Sequence, residues 1–398
     1  MPLKINSAHS NTVVTRSFWE QRIHEIWKTV PIVWLAGVRR SGKTTLSESL
    51  LDSTLINCDL PSTRSLLKDP ETFYKQIKTK IIIFDEIHQL KNPSEVLKIG
   101  ADLYRNKFKI LATGSSTIAA TEKFKDTLTG RKRSIHLVPV LPEECADFGI
   151  SNLKTRLLHG GLPPALLSEK IDSGFYSEWI DSFYARDVQE LFRIEKRQAF
   201  IELLELLLRQ NGGLAEVTNL AKLTGLSRPS TVHYLEALET TQAITVLRPF
   251  HGGGKQELTS QPKIYGFDTG FIAFAKGWDE LRSEDCGLLL ENLVLESLQA
   301  IPELKKVHYW RTKQQQEVDF VVPVGRSSVH AIECKWKGAQ FDSKALRKFR
   351  EDYPDGENFL VCSDAHLNHQ TTQSRFPLQI VSIEKFREVF QTSLKPRN

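Results

Sequence analysis

No apolar run in the 398 residues approaches the ~18 that a membrane-spanning helix needs, so no membrane partner is expected. The five cysteines, Cys58, Cys145, Cys286, Cys334 and Cys362, are odd in number and scattered, and no two have zinc-ligand spacing. A disulfide framework and a structural zinc site are both excluded by that count and spacing. The first residues, MPLKINSAHSNTVVTRS, lack the continuous apolar core of a secretory signal, and with the unpaired thiols this points to a reducing cytoplasm. Internal repeats and low-complexity tracts are absent, which sets repeat architectures aside. Net charge is also small, at +5, which permits a nucleic-acid partner without demanding one. What is present is an ordinary globular composition, 40% hydrophobic and 25% charged, in a chain long enough for roughly two to four domains.

Residues 1–150 alternate short apolar runs (IVWLAG, STLINCDL, KIIIFDE, FKILATGSS) with longer segments of helical spacing. That pattern predicts an α/β domain with a parallel sheet. Residues 151–210 lose the strand-like runs, are punctuated by GGLPPALL, and read as a helical lid. Residues 211–262 give a helix, a glycine-containing turn, a second helix and a strand, the order of a winged helix-turn-helix with HGGGK in the wing. Residues 263–398 form a second α/β unit: the helix GLLLENLVLESLQAI, then strands KVHYWRT, EVDFVVPV and HAIECKWK, the helix SKALRKFREDY, and strands NFLVCS and LQIVSI.

GVRRSGKT, from Gly37 to Thr44, follows the apolar strand IVWLA and opens the helix TTLSESLLD. Backbone N–H groups of such a loop point at an anion, Lys43 reaches the terminal phosphates of a nucleotide, and the Thr44 hydroxyl holds Mg²⁺. The expected nucleotide-binding residues are Gly37, Arg39, Arg40, Ser41, Gly42, Lys43, Thr44 and Thr45. Downstream, KIIIFDE carries Asp85 to a strand end as a ligand for Mg²⁺, with Glu86 beside it to polarise the attacking water. An aspartate followed by glutamate indicates ATP hydrolysis rather than binding alone. KILATGSS ends another strand in hydroxyls, so Thr113 or Ser115 either meets the γ-phosphate or the water, or simply caps the strand. In TLTGRKRS, Arg131 and Arg133 are candidates for a transition-state cation, with a solvated basic turn as the alternative.

GVRRSGKTTL, IIIFDEIHQL, LATGSS, LTGR before an apolar strand and LPEE, GGLPPAL, YARDV, KIYGFDTGF, LLLENLVLESL and YWRTKQQQEVDFVV together resemble the prokaryotic AAA-type P-loop ATPases with a C-terminal winged-helix and restriction-endonuclease-like region. The resemblance spans nearly the whole chain. It implies ATP binding with Mg²⁺, an AAA-type core over 1–150, a lid, and an endonuclease-like fold over 263–398.

The second helix of the winged-helix segment offers Arg228, Ser230, Thr231 and His233 but also Glu236 and Glu239, with Arg248 and Lys255 near the wing. Domain packing and DNA binding both stay open there. The endonuclease-like set is more specific. Glu291 lies on the helix, Asp319 on one strand, and Glu333 and Lys335 two apart on the next, so the last pair shares a face. Metal-dependent phosphodiester cleavage needs such oxygen ligands and a cation near the phosphate, and the resemblance to restriction-endonuclease-like nucleases implies Glu291, Asp319 and Glu333 as metal ligands and Lys335 as the phosphate-facing group. A plain salt bridge between Asp319 and Lys335 accounts for the same residues.

The expectation is an Mg²⁺-dependent ATPase whose nucleotide state controls a nucleic-acid-directed, nuclease-like region in genome maintenance or defence. The alternative is a nucleotide-switched interaction protein with an inactive nuclease-like region. DNA, RNA or protein as the partner, and a homo-oligomer, all stay open.

Overall fold

A computed structural model describes residues 14–114, 128–252, 261–304, 306–325, 328–365, 369–371 and 376–395. The chain divides into two compact units, residues 1–138 with 240–242, and residues 139–239 with 243–398.

The first unit is built on five strands: β1 (Ile32–Ala36), β2 (Ser53–Asn57), β3 (Ile81–Asp85), β4 (Lys109–Thr113) and β5 (Lys132–His136). All neighbours pair in parallel, in the order β2-β3-β4-β1-β5. Central strands of a covered parallel sheet are buried on both faces, which is why β1 and β3 read as unbroken apolar runs, while the edge strand β5 carries Lys132, Arg133 and Ser134. Helices α1 (Ser17–Trp27), α2 (Lys43–Glu48), α3 (Pro61–Leu66), α4 (Pro70–Gln76) and α5 (Pro93–Leu103) connect and flank them. On one face Trp34, Phe73, Tyr74, Phe84, Leu97 and Phe108 form the core.

The second unit opens with helices α6 (Leu153–His159), α7 (Pro163–Leu166) and α8 (Ser173–Phe183), then a π-helical turn over Tyr184–Val188. Helices α9 (Gln189–Phe192), α10 (Arg197–Arg209), α11 (Val217–Thr224) and α12 (Arg228–Thr240) follow. Strands β6 (Gly213–Leu214), β7 (Ile244–Leu247) and β8 (Lys263–Gly266) make a small antiparallel sheet in the order β6-β8-β7. After α13 (Thr269–Lys276) and α14 (Ser283–Gln299) comes a six-stranded sheet, β9 (His308–Arg311), β10 (Glu317–Val324), β11 (Ser328–Lys335), β12 (Asn358–Cys362), β13 (His369–Thr371) and β14 (Leu378–Ser382). Its order is β13-β14-β12-β11-β10-β9, with β9, β10 and β11 antiparallel and β11, β12 and β14 parallel. Helix α15 (Lys344–Asp352) packs on β10, and α16 (Ile383–Ser393) on β14. LQIVSI, expected as strand throughout, is strand only to Ser382, and Ile383 begins α16.

Apart from residues 240–242, the segments read as lid, winged helix and second α/β unit fall in one compact unit, which starts at Pro139. Buried polar contacts tie them together. Arg156 on α6 is wholly buried, donating from Nη2 to Glu296 of α14 at 2.6 Å, from Nη1 to Thr269 at 2.9 Å and from Nε to the Val140 carbonyl at 2.7 Å. Gly160 ends α6 with φ of 75°, and a Cβ there would lie 2.0 Å from Asp268 Oδ1, so the GGLPPALL punctuation marks a close approach that only glycine allows.

Candidate functional site

β1 delivers the chain to Gly37 at the C-terminal end of the sheet, where the ligand crevice of an open parallel sheet forms. Arg40 at φ 61° and Gly42 at φ 93° then turn the loop into α2, and Gly42 takes that conformation without a Cβ penalty. Lys43 is 9% exposed and folds back, its Nζ donating to the carbonyl oxygens of Gly37 at 2.9 Å and Val38 at 3.0 Å. Arg16, just ahead of α1, braces the loop by donating to the carbonyl oxygens of Ser41 and Val138, each at 3.2 Å. Nothing in the sequence singled Arg16 out, because its partners lie 25 and 122 residues away. Of the other loop residues, Ser41 is buried, Arg39 is half-buried, and Arg40, Thr44 and Thr45 are exposed.

β3 and β4 bring Asp85 and Thr113 to the same sheet end. The Thr113 hydroxyl donates to Asp85 Oδ1 at 2.5 Å and accepts the Glu86 N–H at 3.0 Å. The Thr44 hydroxyl donates to Asp85 Oδ2 at 3.2 Å. Glu86 sits in the left-handed region at φ 51°, a conformation that costs a non-glycine residue about 1 kcal/mol or more and is retained where surroundings enforce it. Its Oε2 lies 3.2 Å from His88 Nδ1, close in distance but without hydrogen-bond alignment. Thr44 and Asp85 provide the hard oxygen donors that Mg²⁺ takes, so the residues fit that ion.

Arg131 requires a correction. It precedes β5, which runs parallel to β1, so it lies at the N-terminal end of the sheet, roughly 15 Å along the strand direction from the end that carries the loop. There its guanidinium grips Asp102 with two contacts, at 2.5 and 3.2 Å. Within one chain it does not meet Lys43 or Asp85. Arg133 is exposed on the same strand, and Ser115 lies outside the described residues.

The second constellation belongs to the second unit. One step beyond the last paired residues of the β10–β11 ladder, Phe320 and Ile332, come Asp319 and Glu333. Like charges set opposite one another are unfavourable unless a cation lies between them. Lys335 Nζ does so, 3.2 Å from Asp319 Oδ2 and 3.0 Å from Glu333 Oε2. Cys334 N–H donates to Asp319 at 2.8 Å. Burial and then the Asp319 charge push the Glu333 carboxyl up to about 8, against the pull of Lys335. Burial opposes the charge on Lys335, but Asp319 and Glu333 outweigh it and raise its pKa.

Glu291, on α14, is held apart from that bridge. The Tyr265 hydroxyl donates to its Oε1 at 2.5 Å and Lys263 Nζ lies 3.5 Å away. Burial, followed by the charge of Asp319, raises its pKa. The structure therefore groups Asp319, Glu333 and Lys335 directly and places Glu291 beside them on its own partners. Among the described residues no group of three or more His, Cys, Asp or Glu side chains stands at ligand spacing. Lys263, Tyr265 and Glu317 were missed in the sequence, although KIYGFD and EVDFVV contain them.

In the segment expected to form a winged helix, Thr231 is fully buried and its hydroxyl donates to the Ser227 carbonyl, while His233 Nε2 lies 3.1 Å from the Phe192 carbonyl. Arg248 stands 4.0 Å from Glu239, and Lys255 lies outside the described residues.

Residues 29–146 match the family described as an AAA domain. Residues 150–282 and 286–382 match two domains of unknown function, DUF8612 and DUF4143. Uncharacterized protein Mb2031c of Mycobacterium bovis and Uncharacterized protein Rv2008c of Mycobacterium tuberculosis are each 27% identical over 362 residues, covering 86% of this chain and 80% of theirs. Among solved structures, the Thermotoga maritima RuvB Holliday junction branch migration motor aligns with 14% identity over 59% of this chain and 93% of its own, at a TM-score of 0.30. The AAA match, the β2-β3-β4-β1-β5 sheet and the loop after β1 make the first unit an AAA-type P-loop domain. Among the described residues no helix is long and apolar enough to cross a membrane.

Proposed function

We propose that the first unit binds ATP with Mg²⁺ and hydrolyses it, and that its nucleotide state governs a nucleic-acid-directed second unit. The observation that carries the reading is the convergence of Lys43, Thr44, Asp85 and Thr113 at one sheet end. Lys43 contacts the terminal phosphates, and Thr44 and Asp85 hold the ion. Bound Mg²⁺ supplies charge neutralisation on the phosphate oxygens. Glu86 orients the attacking water and accepts its proton, with Thr113 fixing the backbone on which Glu86 stands. Glu86→Gln is expected to lower ATP turnover by about 10²–10⁴-fold while ATP affinity stays the same. Equal turnover by wild type and variant would remove Glu86 from the mechanism.

For the second unit, the Glu333 Oε1 atom, buried without a hydrogen bond beside Asp319, supports a divalent-metal site at Asp319 and Glu333, with Lys335 facing a phosphodiester. Genome maintenance or defence is the setting such an activity would serve. A second reading has its own support: Lys335 already bridges both carboxylates, which suits a binding module that cuts nothing. Labelled single- and double-stranded DNA and RNA, incubated with Mg²⁺ or Mn²⁺ and with or without ATP, separate the two. Cleavage lost in Asp319→Asn supports the first, and binding without cleavage the second.

A further inference from the structure

Four carboxylates gather in the second unit: Glu291 from α14, Glu317 and Asp319 from β10, and Glu333 from β11. Three cations face them. Lys335 bridges Asp319 and Glu333, and Arg311 pairs with Glu317 at 2.8 Å. The third, Lys263, arrives from β8 of the small sheet. It is 4% exposed, in direct contact with a Glu317 carboxylate oxygen and 3.5 Å from Glu291 Oε1. A buried ammonium is sustained only by charges of this kind, so the acids fix its place. Tyr265, two residues along β8, donates to the same Glu291 oxygen. Within this crowd one acceptor stays open: Glu333 is 4% exposed, and its Oε1 is buried and makes no hydrogen bond.

The formal charges decide what the cluster can accept. Metal ligands bind as carboxylates, so the count that matters has all four acids ionised; with Lys263 present a single negative charge then remains, and an incoming dication would overshoot neutrality. With Lys263 withdrawn, two negative charges remain and a dication balances them. We propose that Lys263 is an internal counter-ion that keeps the carboxylate site closed to divalent metal, and that withdrawing its ammonium opens the site. The proposal rests on Asp319 and Glu333 being a metal site. β8 is the middle strand between β6 and β7, so a displacement of that sheet carries the lysine with it. A lysine donated by one element to the acids of two others is thereby a conformational brake on the site.

The test is calorimetric titration of Mn²⁺ into nucleotide-free full-length protein, comparing wild type with Lys263→Met. The variant is expected to bind Mn²⁺ at least about tenfold more tightly, and Asp319→Asn added to it should abolish the gain. Lys263→Gln, which keeps a hydrogen-bond donor toward Glu317, is the second variant, with circular dichroism melts to establish that each protein is folded; the same gain is expected. Equal Mn²⁺ affinity in wild type and both variants, abolished by Asp319→Asn, would overturn the counter-ion role and leave the metal site standing. Absence of Mn²⁺ binding in every folded protein would overturn both.

Discussion

At the first site Asp85 is held by the hydroxyls of Thr44 and Thr113, and Lys43 reaches backbone carbonyls; at the second, Lys335 and Lys263 contact carboxylates directly. Hydroxyls orient a carboxylate without cancelling its charge, so Asp85 stays able to attract a cation. Ion pairs cancel it. The two sites also differ in scaffold. Asp85 and Thr113 come from the ends of parallel strands, side by side, whereas Asp319 and Glu333 face each other across an antiparallel pair and need a counter-ion simply to coexist. A lysine on backbone carbonyls therefore leaves the acid of the first site uncancelled, whereas lysines on carboxylates neutralise those of the second.

Breaking the buried charges of the second unit should have the largest effect. Arg156→Ala strands Glu296 without its partner, and loss of one member of a buried pair costs about 3–5 kcal/mol. Thermal melts should show the second unit destabilised by that order, with ATP binding to the first unit retained at temperatures below the melt. A loss of ATP binding in parallel would mean that the two units fail together.

A smaller effect separates the sites by pH. The Glu333 carboxyl is raised from 4.5 to about 8 in the folded chain, so the folded state binds this proton more tightly than the unfolded state. That contribution is complete below about 4.5 and is lost as pH rises through about 8. The second unit should weaken toward alkaline pH, and Glu333→Gln should flatten the dependence. An identical pH profile for wild type and Glu333→Gln contradicts this.

The smallest effect is expected at Arg131. Its bonds are to Asp102, at the sheet end away from the loop, so Arg131→Ala should leave ATP turnover within about twofold. A large drop in turnover that rises and falls with protein concentration would place Arg131 at a neighbouring copy's site instead.

Much of the first site was legible because its chemistry is local. Lys43 and Thr44 are adjacent, and an apolar strand ending in Asp85 and Glu86 announces where those side chains emerge. The face shared by Glu333 and Lys335 follows from strand periodicity alone. Arg131 was not placeable from its basic turn alone: it stands at the start of β5, and in a parallel sheet the start of a strand lies at the edge away from the end that carries the loop. Lys263 was illegible for another reason. Its partners are 28 and 54 residues further along, on a different helix and a different sheet, and a lysine in KIYGFD has no local feature that marks it as buried.

The account is tested most directly by titrating Mg²⁺-ATP into wild type, Lys43→Ala and Asp319→Asn in the calorimeter. Wild type and Asp319→Asn should each bind one ATP per chain with equal affinity, and Lys43→Ala should bind at least about 100-fold more weakly, since it removes charge-assisted contacts to the phosphates. Undiminished ATP binding by Lys43→Ala, or its loss in a folded Asp319→Asn, would contradict the assignment of the nucleotide to the first unit.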